Sequence, residues 1–536
     1  MSDILSIGAS GVRAYQTALG VVGENIANAG TAGYVRRDVV LKEAAAGKPG
    51  FLTEIDRTIL GGVSATGVSR AWDQFRAAEV RRGSADAAGT ETAIPFLQRI
   101  ETSLDKGGIT TALTGFFNSA TALAADPTGA GPRAAMLEAA AGAASAFRST
   151  AEGLGQVAGD VSLAATTTAG EFSRLAKGLA ELNAGIVRAR PGSNGQAQLL
   201  DQRDALLDQM AQIAKIDVTI ADTGAATVAM GGPGGPTLVD SKGAGSVTID
   251  IAADGRMSFF LHRDGQRETV AIGSGALAGL AEASVRTAQA RSEVDRVATA
   301  FADGVNAVQA AGIDQDGAVG TDLFDATGGA AGLAMLATSG RAIAAAGPFT
   351  VASGATNRGS GVLSAAVDPN AGTPAAPPVR LAVDGSDLVA RDPVTDVEIA
   401  RTTLVAGAPT TIAGMTVTLA GSPQDGDSFT VRATGAASRD NSNLAGLATL
   451  RTADGPERSF AALVTGNASQ LAAKRTIAEA QVAIRDGAVS ARDAISGVNL
   501  DTEAVELLRF QQAYSASSRV IQVAREMFDS ILQATR

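Results

Sequence analysis

The sequence predicts an α+β fold of several domains: terminal helices that pair as a coiled coil, an elongated helical-bundle body and two inserted antiparallel β domains. Two observations predict this fold. Apolar residues recur at helical spacing near both ends of the chain, and in two internal stretches the spacing changes to the alternation of β-strands. With 536 residues, the chain is also several times longer than a domain of about 150 residues.

Both terminal segments carry apolar residues three and four positions apart, a pattern typical of coiled-coil helices. The N-terminal set consists of Leu5, Val12, Tyr15, Leu19, Val22, Ile26 and Ala29. The C-terminal set consists of Leu500, Leu507, Phe510, Tyr514, Ile521, Ala524, Phe528 and Ile531. Because each apolar surface of this kind needs a partner helix, we expect the two terminal helices to pack against each other.

Four glycines weaken the N-terminal helix. Gly8, Gly11, Gly20 and Gly23 each cost the helix about 1 kcal/mol relative to alanine. Such a helix is marginal by itself in water. We therefore expect both terminal segments to be disordered in the free monomer and to become helical on assembly.

Between the ends, helical and extended segments alternate along the chain. An extended segment is predicted at 34–41, a loop or short hairpin at 43–67, and helices from 69 to 215, at 277–311 and from 444 onward. The expected domains are a terminal pair of 1–35 with 498–536, a helical body of 36–216 with 273–345 and 435–497, a small β insert of 217–272 and a second β insert of 346–434.

The β inserts are predicted from alternation and from turn residues. In the first insert, apolar and polar residues alternate over 247–251, and Asp254-Gly255 and Asp264-Gly265 indicate type I′ hairpins. In the second insert, residues 411–419 alternate, and prolines such as Pro374 favour loops. Each insert is therefore expected to be antiparallel.

Composition argues against several classes of function. The net charge is −11, which is unfavourable for a nucleic-acid partner. Cysteine is absent, so disulfides and thiolate metal sites are impossible. No apolar run reaches the roughly 18 residues of a membrane helix, and no secretory signal pattern is present, so no membrane partner is expected.

No catalytic, cofactor-binding or metal site is predicted. One histidine, His262, is expected on a surface strand, and one histidine cannot complete a multi-histidine zinc site. Asp314-Gln315-Asp316-Gly317 resembles the start of a calcium loop but is expected to be a turn. The stretch 231–236 is rich in glycine but lacks the lysine and following helix of a phosphate-binding loop.

Several charged residues and one tryptophan have structural interpretations. Arg36-Arg37 and Arg81-Arg82 are expected on solvated faces. The charged residues Asp201, Arg203, Asp204 and Asp208 are expected to stabilise a helix surface or a neighbouring interface. Trp72 is expected to be a buried anchor between helices, with a subunit contact as the alternative.

The segment Asn25-Ile26-Ala27-Asn28-Ala29-Gly30-Thr31-Ala32-Gly33-Tyr34-Val35-Arg36 resembles the Asn-x-x-Asn-x-x-Thr-x-Gly-Tyr-x-Arg motif of bacterial flagellar axial proteins. Gly30 stands directly before Thr31, where these proteins usually have asparagine. Glycine also tolerates a left-handed backbone, so we expect the turn to survive. Residues 495–521 resemble the same superfamily. The long helical body, with the run 199–208 and the segment 422–429, is similar to the hook-associated protein 1 family.

The resemblance implies a non-enzymatic structural protein of the bacterial flagellum that joins hook to filament by self-assembly. Its terminal helices would line the inner tube and its β inserts would face outward. The implied assembly interface comprises both apolar sets together with Asn25, Asn28, Thr31, Gly33, Tyr34, Arg36 and Trp72. Tyr34, Arg36 and Trp72 would link the terminal helices to the helical body.

The resemblance also implies partners and a location. The partners would be further copies of the chain, the hook protein, a second hook-associated junction protein on the filament side, and a cytoplasmic export chaperone on the C-terminal helix. No cofactor, nucleic acid or membrane is implied. The protein would leave the cytoplasm through the flagellar type III apparatus and reside at the extracellular hook–filament junction.

Two alternatives stay open at this point. A hook or distal rod protein of the same superfamily would differ in the number and order of helices between 69 and 215. An enzyme or binding module in the insert 346–434 would need a cluster of catalytic residue types, but the insert has only scattered aspartates, such as Asp384, Asp387 and Asp396, and no histidine or cysteine.

Overall fold

The computed structural model describes residues 2–31, 33–43, 61–368, 370–371, 376–452 and 454–534. Most of the loop or hairpin predicted for 43–67, and Pro374, lie outside the described residues. The chain divides into two compact units. Unit 1 comprises residues 1–96, 159–286 and 471–536, and unit 2 comprises residues 97–158 and 287–470. The four domains expected from the sequence stay a prediction.

The described residues form an α+β fold, as predicted. The α-helices are α1 (Ser2–Asn28), α2 (Gln74–Lys106), α3 (Ile109–Ala125), α4 (Ala130–Arg188), α5 (Asn194–Ile213), α6 (Ala276–Ala310), α7 (Gly329–Gly332), α8 (Ala445–Thr452), α9 (Pro456–Ser496) and α10 (Leu500–Ala534). Short 3-10 turns lie at Gly340–Ala342 and Ser442–Leu444. Among these described helices, none combines the length and the apolar character needed to cross a membrane.

The strands are β1 (Arg37–Glu43), β2 (Val63–Arg70), β3 (Ile216–Ile220), β4 (Ala226–Met230), β5 (Thr237–Asp240), β6 (Gly243–Ala244), β7 (Ser246–Ile251), β8 (Met257–Arg263), β9 (Gln266–Val270), β10 (Phe324–Asp325), β11 (Ala334–Met335), β12 (Phe349–Ser353), β13 (Val362–Val367), β14 (Val379–Asp384), β15 (Asp387–Arg391), β16 (Glu398–Thr403), β17 (Pro409–Ile412), β18 (Met415–Ala420) and β19 (Ser428–Ala433). Strands β3 to β9 and β12 to β19 lie in the two stretches where the sequence alternates, as expected, whereas β1, β2, β10 and β11 lie outside them.

All strand pairs among the described residues are antiparallel. Unit 1 contains the hairpin β1-β2, the sheet β3-β4-β5-β6 and the sheet β7-β8-β9. Unit 2 contains the pair β10-β11, the sheet β12-β19-β14-β15-β16 and the sheet β13-β18-β17.

Each unit has its own apolar core. In unit 1, Phe172 of α4 and Leu207 of α5 pack against sheet residues such as Phe259. In unit 2, Leu381 and Phe429 lie in the core formed by its two larger sheets. The structure therefore buries one side of each inserted sheet, which explains the period-2 alternation of the sequence.

One of the two predicted type I′ turns is present. Asp264 and Gly265 have φ of 50° and 77°, and two positive angles define this turn between β8 and β9. At the other turn, Gly255 has φ of 79° but Asp254 is not left-handed, so the prediction of type I′ is wrong there. A five-residue connection from 252 to 256 joins β7 to β8. A connection of this length does not require positive φ at two successive residues, as a two-residue type I′ turn does.

The long helical region begins later than predicted. Ser69 and Arg70 belong to β2, and α2 begins at Gln74. The Oδ1 of Asp73 accepts hydrogen bonds from the N–H groups of Phe75 and Arg76, at 2.8 and 2.9 Å. Such a side-chain cap satisfies amide groups that have no partner inside the helix, so it marks the start of α2.

The terminal helices α1 and α10 pack together in an antiparallel arrangement within unit 1, as predicted. The ring centroids of Tyr15 and Phe510 lie 6.3 Å apart, and Asn25 binds Glu503 near the other end of the contact. A Cβ atom added to Gly8 would lie 2.7 Å from Cγ1 of Ile521. The two helices therefore approach closely where glycine removes the side chain.

The closest packing uses small residues beside the predicted apolar set. The buried line of α1 consists of Gly8, Gly11, Ala14, Ala18, Val21, Val22 and Asn25. Of the predicted N-terminal set, Val22 is buried, Val12, Tyr15 and Leu19 are half-buried, and Leu5, Ile26 and Ala29 are exposed. Of the predicted C-terminal set, Ala524 is buried, Leu507, Phe510, Tyr514 and Ile521 are half-buried, and Leu500, Phe528 and Ile531 are exposed.

The glycines of α1 therefore divide into two kinds, and alanine substitutions should separate them. Gly8→Ala should destabilise the α1–α10 pair by about 1–3 kcal/mol because the new methyl group meets Ile521. Gly20→Ala should stabilise α1 by about 0.5–1 kcal/mol, since nothing lies near that position. Hydrogen exchange of the amides of α1 and α10 in the single chain measures both effects. Equal protection in the two variants would contradict the close-packing role of Gly8, and a lack of protection in the unaltered chain would support the disorder of the free terminal segments expected from the sequence.

Candidate functional site

The residues of the sequence motif meet at the C-terminal end of α1. Asn25 is the central side chain there and is only 1% exposed. Its Nδ2 donates to the carbonyl oxygen of Arg37 at 2.8 Å and to Oε2 of Glu503 at 3.0 Å. Its Oδ1 accepts from the hydroxyl of Tyr34 at 2.8 Å and from the N–H of Arg37 at 3.0 Å. An asparagine amide offers two donors and two acceptor positions, so Asn25 uses all of them. This one side chain joins α1, β1 and α10.

The other polar motif residues shape the turn that follows α1. Nδ2 of Asn28 donates to the carbonyl oxygen of Glu24 at 2.9 Å, and its Oδ1 accepts from the hydroxyl of Thr31 at 3.3 Å. Gly33 has φ of 79°, a left-handed angle that glycine adopts without strain. Gly30 has no such angle, so the left-handed backbone considered for Gly30 occurs at Gly33 instead.

Arg36 connects neighbouring elements mainly through its backbone. Its N–H donates to the carbonyl oxygen of Ser496 at 2.9 Å, and its own carbonyl oxygen accepts from the N–H of Ala71 at 2.9 Å. The guanidinium lies 3.4 Å from Asp38, an exposed pair that contributes little. Arg36 thus connects the end of α9 to the segment between β2 and α2.

A row of three aspartates on α5 faces this region, and we call Asp201, Asp204 and Asp208 the α5 carboxylates. Asp201 pairs with Arg37 at 3.0 Å and with Arg70 at 2.7 Å. Arg70 also pairs with Asp204 at 2.7 Å. The hairpin β1-β2 is therefore attached to α5 by buried ion pairs at both of its strands.

The third carboxylate, Asp208, connects α5 to two further helices. Arg492 of α9 lies 3.1 Å from it, and Arg81 of α2 lies 3.7 Å from it. Arg37 and Arg81 are each only 7% exposed. The expectation that Arg36-Arg37 and Arg81-Arg82 lie on solvated faces is therefore wrong for these two arginines, because each is drawn inward by an α5 carboxylate.

Trp72 lies between β2 and α2 and is half-buried. The guanidinium of Arg203 lies over its ring, 5.4 Å from the centroid, and the same guanidinium pairs with Asp204 at 2.6 Å. A cation over an aromatic face is attracted by the ring quadrupole. Trp72 is thus held against α5 on one side, and part of its ring stays accessible.

Burial shifts the acidity of several of these groups. It raises the pKa of Asp201 and of Asp208, while the neighbouring guanidinium groups act in the opposite direction. It also lowers the pKa of the Arg81 guanidinium, against the attraction of Asp208. Buried charges in this state depend on their partners, so loss of one arginine would leave a carboxylate uncompensated.

Burial likewise raises the pKa of Tyr34 to about 12, although the Arg37 guanidinium opposes this shift. The ring of Tyr34 also lies 4.8 Å from that guanidinium. The phenol therefore stays protonated over the physiological range and remains a hydrogen-bond donor to Asn25.

We call the cluster of Asn25, Tyr34, Arg37, Arg70, Arg203, Glu503, Trp72 and the α5 carboxylates the joint. All of its residues belong to unit 1. Its three arginines face four carboxylates, Arg81 and Arg492 add two further positive charges beside Asp208, and the Asn25 amide is fully hydrogen-bonded. Such an arrangement is suited to holding helices in a fixed geometry rather than to transferring protons or groups.

The remaining chemical candidates of the sequence have structural roles. His262 lies on β8, with Nε2 2.7 Å from the hydroxyl of Thr248. Asp314 Oδ1 accepts from the N–H groups of Asp316 and Ala318, and Asp316 pairs with Arg341, so this segment is a turn, as expected. Within the described ranges, no cluster of carboxylates or histidines could hold a metal ion.

Sequence reasoning identified Asn25, Tyr34 and Trp72 but missed most of their partners. Arg37 and Arg70 belong to the joint without any periodic signal in the sequence, and Glu503 is a single buried acid in an acidic first turn. One signal was available. The spacing of the α5 carboxylates places them along one side of a helix, which predicts basic partners outside it.

Two regions of the chain match known protein families. Residues 97–324 match the helical domain of flagellar hook-associated protein FlgK, and residues 490–534 match the C-terminal region of flagellar basal body rod FlgEFG proteins. The second match covers α10 and the end of α9, and thus the side of the joint that contains Glu503.

Several complete proteins are similar to the chain over nearly its full length. Flagellar hook-associated protein 1 of Salmonella typhimurium is 27% identical, and the alignment covers 99% of this chain and 100% of that protein. The protein of the same name from Escherichia coli is 25% identical with the same coverage. That of Bacillus subtilis is 24% identical, over 97% of this chain and 95% of the relative.

A solved structure is similar in fold. The flagellar hook junction protein FlgK from Burkholderia pseudomallei superposes with a TM-score of 0.67 at 19% identity, covering 78% of this chain and 100% of that one. At this identity the likeness concerns the fold alone.

Removal of the Asn25 side chain should weaken the joint. Asn25→Ala leaves Glu503, the Tyr34 hydroxyl and the backbone of Arg37 without a partner, so we expect a loss of about 3 kcal/mol. The matched control is Asn28→Ala, which removes exposed or half-buried bonds and should cost less than about 1 kcal/mol.

Urea unfolding followed by tryptophan fluorescence measures this loss, because the single tryptophan, Trp72, lies in the joint. A midpoint for Asn25→Ala equal to that of Asn28→Ala would show that the Asn25 hydrogen bonds do not hold the joint.

The raised pKa of Tyr34 predicts a loss of stability in alkali. The unfolded phenol ionises near pH 10 while the folded one keeps its proton until about 12. Between these values only the unfolded state gains by releasing a proton, so the stability of the joint falls as the pH rises. The urea concentration at the midpoint of unfolding, followed by Trp72 fluorescence, should fall between pH 10 and about 12. This fall should be smaller in Tyr34→Phe. An identical alkaline profile in both proteins would be incompatible with this role.

Proposed function

The chain belongs to the flagellar hook-associated protein 1 family, and from this premise we propose how it joins the hook to the filament. It is a structural protein of the extracellular hook–filament junction of a bacterial flagellum and not an enzyme. We propose that copies of the chain assemble side by side through α1 and α10, with the joint holding this helix pair at a fixed angle to the rest of unit 1.

The observation that carries this proposal is the apolar surface that the α1–α10 pair leaves exposed. Leu5, Val12, Leu19 and Ile26 recur every seven residues on α1, outside the buried line of small residues. A repeat of seven matches the packing of helix against helix. Leu5 and Ile26 are exposed and Val12 and Leu19 are half-buried, so the stripe leaves apolar surface in water, which is unfavourable. Neighbouring copies would cover it.

The proposed assembly interface keeps the residues expected from the sequence. It comprises Leu5, Val12, Tyr15, Leu19, Val22, Ile26, Leu500, Leu507, Phe510, Tyr514, Ile521, Ala524, Phe528 and Ile531. Val22 and Ala524 are buried within the chain, so they would support this interface from beneath and not touch a neighbour. The other expected residues lie in the joint or in the segment that follows α1. We propose that they position the α1–α10 pair: Asn25, Asn28, Thr31, Gly33, Tyr34, Arg36 and Trp72.

The partners beyond the chain itself are also proposals. The hook protein would lie on one side and a second hook-associated junction protein on the filament side. A cytoplasmic chaperone would cover α10 before export through the flagellar type III apparatus. The exposed Leu508, Val523 and Phe528 on α10 support a need for cover, because such surface promotes aggregation.

The arrangement of helices favours the junction protein over a hook or rod protein. Four helices, α2 to α5, occupy the region from 74 to 213 that separates these classes. The family description matched at 97–324 is also that of the hook-associated helical domain.

A deletion strain tests the proposed function. Cells that lack the gene for this chain should build hooks without filaments and release flagellin into the medium, and the restored gene should return filaments and motility. Electron microscopy and immunoblotting of the medium measure both outcomes. Normal filaments on the deletion strain would exclude a role at the junction.

A substitution on the exposed stripe tests the interface. Ile26→Asp should reduce the number of filaments per cell by about tenfold or more, because a buried charge costs more than the 1.4 kcal/mol of a tenfold change. Ala27→Asp, also exposed but off the stripe, should leave filaments near the normal number. Equal filament counts in the two variants, at equal export of the chain, would place the contact elsewhere.

A further inference from the structure

A second exposed surface, on α9, is separate from the α1–α10 stripe. Along this surface Ala473, Ile477, Ala480, Ile484, Gly487 and Ala491 follow one another at alternating steps of four and three. Ile484 is 65% exposed and Ile477 is 45% exposed. No described part of the chain covers these side chains. They lie in the portion of α9 that belongs to unit 1.

The surface is unusual because it carries no charge. An α-helix turns by about 100° per residue, so the positions around this line form a strip that covers about 140° of the helix circumference. Between Ala472 and Ile495 the strip holds twelve residues; eleven are exposed and none is Asp, Glu, Lys or Arg. Charged residues make up 18% of the whole chain, and a solvated helix face normally carries them.

The charged residues of this part of α9 lie on two other lines. One line faces the rest of unit 1 and consists of basic residues that form ion pairs. Lys474 pairs with Glu282 at 2.7 Å, Arg485 with Glu91 at 3.5 Å and Arg492 with Asp208 at 3.1 Å. Arg475, Glu479, Asp486 and Asp493 lie on the opposite line and are exposed. The uncharged strip lies between these two lines, so it is neither part of the unit 1 core nor an ordinary solvated face.

Two large exposed side chains extend this surface at the end of α9. The helices α2 and α9 run antiparallel, because Gly83 lies beside Arg485 and Thr90 binds Gln481. This register places Phe75 level with about residue 494, near Ile495. Phe75 is 84% exposed, and Leu500 at the start of α10 is also exposed. Both large side chains therefore lie near the C-terminal end of the strip.

We propose that this strip is a second contact between copies of the chain, occupied by a helix of the adjacent copy. The proposal rests on the proposed function and extends it to a second surface. Isoleucines separated by alanine and glycine give projections and gaps at the seven-residue repeat of a helix partner. A sheet or a loop has no matching repeat.

The area of the strip favours a neighbouring copy over a separate binding protein. Twenty-four residues of helix extend for about 36 Å, and a width of about 10 Å gives roughly 360 Å². A stable pair of proteins buries about 800 Å² on each partner. The strip by itself is thus too small to hold a dimer, but it becomes effective when the same two chains also meet through α1 and α10.

The test uses the full chain in a strain that lacks the gene. Ile484→Glu places a charge in the strip, and Leu163→Glu places the same charge on an exposed position of α4, also in unit 1 but off the strip. We expect Ile484→Glu to lower filament number by about tenfold or more while the chain still reaches the medium. Leu163→Glu should retain filaments.

A second measurement keeps the test independent of the folding of one variant. Benzoylphenylalanine at position 484 or at position 163 is irradiated in isolated flagella, and the products are identified by mass spectrometry. Position 484 should give an adduct of two copies of this chain, and position 163 should not. An adduct only with another flagellar protein, or no adduct, would overturn the proposal, as would normal filaments on Ile484→Glu.

The two proposals fail in different ways. If the unaltered chain does not restore filaments to the deletion strain, the proposed function is wrong. If the unaltered chain restores filaments but position 484 forms no adduct between copies, the function stands and the α9 contact is wrong.

Discussion

The structure of unit 1 depends on a buried asparagine whose four hydrogen bonds connect residues far apart in the chain. Asn25 binds Arg37 and Tyr34 on one side and Glu503 on the other, and Glu503 is itself 3% exposed. Buried polar groups are costly unless they are all satisfied. The two ends of the chain therefore share one arrangement in which every partner is present. This requirement explains why the motif needs asparagine and why the joint is specific.

The ion pairs around α5 extend the same constraint to the hairpin and to two other helices. Each α5 carboxylate is buried enough for its charge to depend on arginines from β1, β2, α2 or α9. Breaking one pair is far more costly than an exposed pair would suggest, because a buried charge loses its partner. Trp72 lies against Arg203 within this network. The joint thus fixes the hairpin and α5 to α2 and α9 through buried and half-buried contacts.

The terminal helices combine close packing with an incomplete interface. Glycine and alanine allow α1 to approach α10, and the larger apolar side chains remain beside the contact. The chain therefore uses its small residues for the contact within itself and leaves larger apolar side chains exposed or half-buried. The uncharged strip of α9 follows the same division, with arginines turned inward and isoleucines outward. In the proposed assembly, such weak contacts would act together.

The sequence by itself determined the α+β class, the pairing of the terminal helices and the location of the β inserts, because these depend on hydrophobic period and on turn residues. Turn geometry was only partly predictable, as Asp254-Gly255 shows, since loop length decides whether both angles are positive. Tertiary structure alone decided which arginines are buried. Arg37 and Arg36 are adjacent and alike in sequence, and only the positions of Glu24 on α1 and Asp201 on α5 draw Arg37 inward. It also decided that the small residues of α1, and not its large apolar ones, make the close contact with α10, because the distance between two helices is set by both surfaces together.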